Sequence, residues 1–194
     1  MQTRPISLRR AVYWTLNTRF LPFRYLLIFL SVKLGSDHLR TFNVSLLKGM
    51  RRTELYNYAT GFVDEYLASR PIPETQELLR EKAKGGLRIV LCSASIEPVV
   101  DAISDSIGVR DRLSSTLLYE EDVFTGKIAL DITGSKLDAL RERDLLGHLV
   151  FAASDNVSDL DLLKEADDAK AIVHEGRKRE FWEGCGLEVL DLKI

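Results

Sequence analysis

From Leu87 onward the chain alternates short apolar runs with helix-forming stretches, and this alternation constrains the fold more than any other feature. It is the pattern of a parallel sheet whose strands are joined by helices. Leu87–Cys92 reads as a buried strand, and a helix from about Ile96 to Ile107 follows it and stops at Gly108. Ser114–Glu120 and Val123–Leu130 read as two strands joined at Glu121-Asp122, a hairpin beside the main alternation. Lys136–Arg143 then reads as helix, Leu149–Ala153 as strand, and Asp159–Ala166 as helix. Ala171–Val173 is a short strand, Arg177–Trp182 a helix and Leu187–Leu192 the last strand.

The first 80 residues read differently, as helices. Ser7 caps a segment through Val12, Leu16 and Phe20, and Pro22 breaks it before an apolar run to Leu34, with Gly35 as the stop. Asp37–Gly49 is a second helical segment. After Thr53, the residues Leu55, Tyr58, Ala59, Phe62, Val63 and Tyr66 recur at three- and four-residue intervals, which predicts one apolar helix face. Pro71 and Pro73 end that helix, and Glu74–Lys84 continues as another that stops at Gly85-Gly86. The expected organisation is a helical module over 1–80 and an α/β core over 81–194.

Charge is distributed unevenly. The whole chain carries a net −2, yet Met1–Ser36 holds six cations and no acid, leaving 21 cations against 29 acids in the remainder. The apolar run after Arg24 is far shorter than the ~20 residues a spanning helix needs. Arg19 and Arg24 interrupt the apolar stretch that an export signal would require, and no small-x-small cleavage site follows. A basic, aromatic-rich Met1–Lys33 leaves attachment to an anionic membrane surface as one reading of this segment. A negative net charge, with basic residues interleaved among large apolar ones, speaks against nucleic-acid binding. Two distant cysteines, Cys92 and Cys185, form neither a zinc ligand pair nor a redox dithiol, which fits a reduced, cytoplasmic setting.

Three polar stretches fall at or beyond the carboxyl ends of predicted strands or at helix starts, where parallel-sheet proteins place ligands. Ser93-Ala94-Ser95 ends one strand and opens a helix, so its hydroxyls and N–H groups serve either to hold an anion or simply to cap the helix. Asp155 and Asp159 flank the next strand-to-helix junction, where two carboxylates suit a hard cation such as Mg²⁺ or merely offset a helix dipole. Asp161 and Glu165 read as surface acids. Lys136 opens a helix, an unfavourable place for a cation, and is either an exposed lysine or one that faces a ligand. Cys92 reads as a small buried apolar residue.

Taken in order, these motifs resemble the haloacid dehalogenase superfamily, in its phosphoserine-phosphatase-like branch. Leu91-Cys92-Ser93-Ala94-Ser95 resembles the second motif, Gly134-Ser135-Lys136 with Leu140 the third, and Ser154-Asp155-Asn156-Val157-Ser158-Asp159 with Leu160-Asp161-Leu162-Leu163 the fourth. Leu46-Leu47-Lys48-Gly49-Met50 and Phe124-Thr125-Gly126-Lys127 are also similar to that branch. The resemblance implies a Rossmannoid parallel sheet with a helical cap module. It implies that Ser93 and Ala94 hold a substrate phosphoryl group and that Lys136 neutralises it and the nucleophile. Asp155 would ligate Mg²⁺, and Asp159 would support the metal or the lysine. Ser154 stands where the family usually has Gly.

The family's opening strand, ending in Asp-x-Asp-Gly-Thr, has no counterpart in these 194 residues. Met1–Leu8 holds no acid, and Pro5 cannot donate to the ladder of a central strand. Asp191 is no substitute, because Lys193 occupies the second acid position and the segment matches the closing strand. Covalent phosphoryl transfer needs a carboxylate nucleophile in line with the leaving group. The expectation is therefore a phosphatase-type chain that is inactive as written or incomplete. The alternatives are a pseudo-phosphatase that binds a phosphorylated ligand or protein, and a membrane-surface protein. Deleting a central strand leaves its two neighbours roughly 9.6 Å apart. Either those strands close up and pair, or an extended segment fills the slot; closure or donation by a partner is the expectation, with self-association as a secondary one.

Overall fold

The computed structural model describes residues 38–174 and 179–192. The helices expected between Ser7 and Leu34, and the path of Met1–Leu8, lie outside the described residues. The chain divides into two compact units, one of Met1–Leu55 with Thr116–Leu130, the other of Tyr56–Ser115 with Asp131–Ile194.

In the first unit, helix α1 (His38–Ser45) packs on the hairpin strand β3 (Val123–Leu130). The hairpin's other arm is the second half of β2 (Asp111–Glu120), antiparallel to β3. Glu121 and Asp122 make its turn at φ 47° and 65°, the positive values that a two-residue hairpin turn demands. The two stretches similar to the family branch meet here: the Gly49 N–H donates to Phe124 O and the Phe124 N–H to Met50 O, both at 2.8 Å. Gly126, at φ 90°, lies so close that a Cβ would come within 3.1 Å of Lys48 Cβ.

Helix α2 (Arg52–Phe62) runs on into a π-helical turn, Val63–Leu67. Its apolar residues do not form the single buried face that their spacing predicts. Leu55, Ala59 and Val63 are buried at steps of four, while Tyr58, Phe62 and Tyr66 form an exposed stripe. Large rings outside the core stack on each other instead, Phe62 against Tyr66 at 5.2 Å. Pro73 opens α3 (Pro73–Lys84), with Ile72 as an extended cap, since a first-turn residue needs no N–H.

The second unit carries the parallel strands. β1 (Val90–Ile96) lies parallel to the first half of β2, from Val90 opposite Asp111 to Ser93 opposite Ser114. Helix α4 (Glu97–Ile107) packs on β1 and ends at Gly108 in the left-handed conformation, a state that glycine enters without a Cβ clash. Helix α5 (Lys136–Glu142) packs against β1 and against α6 (Leu160–Glu165). The second sheet, β4 (Phe151–Ser154), β5 (Asp168–His174) and β6 (Glu188–Leu192), is wholly parallel. Its core gathers Ala152, Leu163, Ala171, Val173 and Trp182, the last contributed by α7 (Arg179–Gly184).

The strand begins and ends later than Leu87–Cys92 implies, because pairing with β2 starts only at Val90 and continues past Ser93. The slot does not close by pairing of β1 with β4. Among the described residues, β1 pairs with β2 alone and β4 with β5 alone.

Candidate functional site

The site is built where the carboxyl end of β4 turns back towards α5. Asp159 lies in a short 3-10 turn, Val157–Asp159, just before α6, and its side chain is 1% exposed. A buried carboxylate needs charge and hydrogen-bond partners to offset its lost hydration. Asp159 has both. Lys136 Nζ donates to Asp159 Oδ2 at 2.6 Å, and Ser154 Oγ donates to the same oxygen at 2.6 Å. The lysine is itself 12% exposed. Its place at the start of α5, unfavourable for the helix dipole, is explained by this partner.

The loop between β4 and α6 is held by its own polar groups. The Asn156 N–H donates to Ser154 Oγ at 3.1 Å, and the Ser158 N–H donates to Asn156 Oδ1 at 3.2 Å. These turns use short side chains to satisfy backbone donors before the helix begins. Asp155 points elsewhere: it is 61% exposed, with His174 Nε2 at 3.6 Å from its Oδ2. The two acids therefore diverge, one buried against Lys136 and one beside the end of β5. Asp161 and Glu165 are exposed, as expected, and Glu165 pairs with Arg141.

Ser93 and Ala94 do not open a helix. The register shifts between Ser93, opposite Ser114, and Ile96, opposite Ser115, so Ala94 and Ser95 bulge from β1. The cap of α4 is Ile96, with no side-chain bond, and neither serine caps it. Ser93 Oγ instead accepts the Ser95 N–H at 3.2 Å. Cys92, next in line, is within electrostatic reach of both Lys136 and Asp159. Burial pushes its thiol up to about 11, Lys136 pulls it down and Asp159 adds to the rise. Helix α5, which opens with Lys136, packs against β1, the strand that carries Cys92 and Ser93.

The resemblance would place Mg²⁺ at Asp155, with Asp159 supporting the metal or the lysine, and Asp159 supports the lysine. Mg²⁺ needs near-octahedral oxygen ligation, Asp159 is engaged by Lys136 and Ser154, and among the described residues no group of three His, Cys, Asp or Glu side chains could hold a metal. No described helix is long and apolar enough to cross a membrane.

Sequence reasoning missed three participants. Ser154 stood only as a departure from a usual glycine, yet it is a donor to the buried acid. Asn156 sets the direction of that hydroxyl. His174 ends β5, and the rule that ligands lie beyond strand carboxyl ends would have found it.

A family model for haloacid dehalogenase-like hydrolases matches residues 7–164. A "Probable phosphatase" of Mycobacterium tuberculosis is 25% identical over 149 residues, covering 71% of this chain and 52% of that protein. The chain thus spans about half the length of the curated relatives it matches. Among solved structures, a protein of unknown function from Bordetella pertussis Tohama I aligns with a TM-score of 0.66 and 18% identity, covering 79% of this chain and 73% of that one. A phosphoserine phosphohydrolase-like protein from Francisella tularensis aligns at 0.63 with 17% identity, over 94% and 86%. A probable phosphoserine phosphatase from Vibrio cholerae aligns at 0.60 with 16% identity, over 86% and 51%. These likenesses show the fold, a Rossmann-type α/β sheet.

Proposed function

Since the chain belongs to the haloacid dehalogenase-like hydrolases, we propose that it carries the anion-binding half of a phosphomonoester site, made by Lys136 and by Ser93 and Ala94 of β1. The observation that carries this reading is the buried Lys136–Asp159 pair, its lysine on a helix that packs against β1. A lysine held in place by a buried acid keeps a preorganised positive charge where a phosphoryl group would gain most from it. The Ser93 hydroxyl, whose oxygen accepts the Ser95 N–H, is a donor suited to a phosphoryl oxygen. Asp159 fixes the lysine rather than a metal in this reading.

These 194 residues hold no Asp-x-Asp-Gly-Thr run, so the proposal for the chain as written is binding without turnover. The test has two arms. Hydrolysis of a generic phosphomonoester with Mg²⁺ should be undetectable, whereas inorganic phosphate should bind, as read by isothermal titration, and lose that binding in Lys136→Met. Turnover abolished by Asp155→Asn would sink the first statement, and phosphate affinity unchanged in Lys136→Met the second.

That β1 and β4 do not pair with each other among the described residues favours a second reading, in which an extended strand joins between them. An unpaired edge is a template for strand addition. An apolar peptide ending in Asp-x-Asp-Gly-Thr should then bind the chain and confer Mg²⁺-dependent turnover. A peptide that neither binds nor confers activity removes this reading and leaves that of a pseudo-phosphatase.

A further inference from the structure

We propose that Ser154 is a positioning residue for Lys136, acting through Asp159. The Asn156 N–H donates to Ser154 Oγ at 3.1 Å, which leaves the hydroxyl proton free to point at Asp159 Oδ2, 2.6 Å away. Lys136 Nζ meets that same oxygen at 2.6 Å. A carboxylate has two equivalent oxygens on a broad terminal torsion, and lysine carries its charge on a flexible four-carbon stem. The ion pair alone therefore does not fix where the ammonium sits. Ser154 fixes it, by pinning one oxygen from the end of β4. The other oxygen, Oδ1, has Ser158 Oγ at 3.5 Å, too long for a strong hydroxyl bond. Without Ser154 the carboxylate is free to turn, and the ammonium turns with it. The consequence for phosphate binding rests on the proposed function above; the positioning itself rests on geometry alone.

The experiment follows the Lys136 side-chain ammonium in ¹H–¹⁵N spectra of the whole chain, assigned by its disappearance in Lys136→Arg. In the wild type its protons should exchange with water at least tenfold more slowly than those of exposed Lys164. Ser154→Ala, or Ser154→Gly if the alanine variant does not fold, should accelerate that exchange several-fold, while Ser154→Thr, which keeps the hydroxyl, should stay within twofold of wild type. An alanine variant that loses only thermal stability, with Lys136 exchange unchanged, overturns the proposal. A wild-type Lys136 that exchanges as fast as Lys164 overturns it as well. Inorganic phosphate is then added to each protein. Phosphate that shifts no signal near Lys136 in the wild type defeats the proposed function and leaves the exchange result standing; affinity reduced several-fold in Ser154→Ala and kept in Ser154→Thr extends the positioning role to binding.

Discussion

Asp159→Asn separates a buried ion pair from an ordinary surface one. The substitution keeps the shape of the side chain and removes its charge, leaving the Lys136 ammonium, 12% exposed, without its counter-ion. Breaking a buried pair by removing one partner costs about 3–5 kcal/mol. The asparagine still offers an oxygen to Ser154 and Lys136, so the lower end, about 3 kcal/mol, is the expected loss. Arg141–Glu165 is the internal control: the atoms are 3.0 Å apart, but the side chains are 49% and 45% exposed. Such a pair contributes about 0–1 kcal/mol, so Glu165→Gln should barely register. Urea unfolding of each variant gives the midpoint and slope, and equal slopes license the comparison. The apolar double replacement Lys136→Met, Asp159→Leu should cost less than the sum of the single changes, because no charge is then left buried. A loss below about 1 kcal/mol for Asp159→Asn, or the same loss for both pairs, would refute the reasoning.

Other consequences are as direct. Burial holds the Cys92 thiol at about 11 against an ordinary 9.0, so near pH 8 its thiolate fraction is about 100-fold below that of the unfolded chain. Peptide-resolved iodoacetamide labelling should show that ratio between native and urea-unfolded protein; equal rates would contradict it. A folded value above the unfolded one gives a stability contribution fully present below about pH 9 and lost as pH rises towards 11, readable as a falling denaturation midpoint in Cys92 protein but not in Cys92→Ala. Gly126→Ala places a Cβ within 3.1 Å of Lys48 Cβ at a positive φ and should cost about 1 kcal/mol or more by chemical denaturation. Trp182→Ala empties a site that is 1% exposed and should cost about 3–5 kcal/mol.

Much of the α/β order was legible because each strand and helix announces itself locally. Gly108 stops α4 and Glu121-Asp122 turn the hairpin where short-range chemistry requires. What could not be read was set by distant partners. The start of β1 depends on where β2 lies beside it, and the bulge at Ala94-Ser95 is visible only against Ser114 and Ser115. The exposure of Tyr58, Phe62 and Tyr66 is likewise a matter of what packs on α2, since their spacing alone fits a buried face. At the site, Lys136 and the two acids were singled out by residue type and position. Their division of labour was not: that Asp159 takes the lysine while Asp155 faces His174 depends on side-chain directions at the end of β4.

The bulge in β1 has an outcome in ionic strength. Because the strand runs on to Ile96 and α4 opens with Glu97 and Pro98, an anion beside Ser93 meets extended backbone instead of a helix's positive end. Its attraction would then come from Lys136, a charge sheltered enough that added salt weakens it little. The whole chain carries a net −2, a weak field that repels an anion at a distance and that salt does screen. More salt should thus hasten the arrival of phosphate and scarcely alter its departure, the reverse of what a positively charged cleft would show.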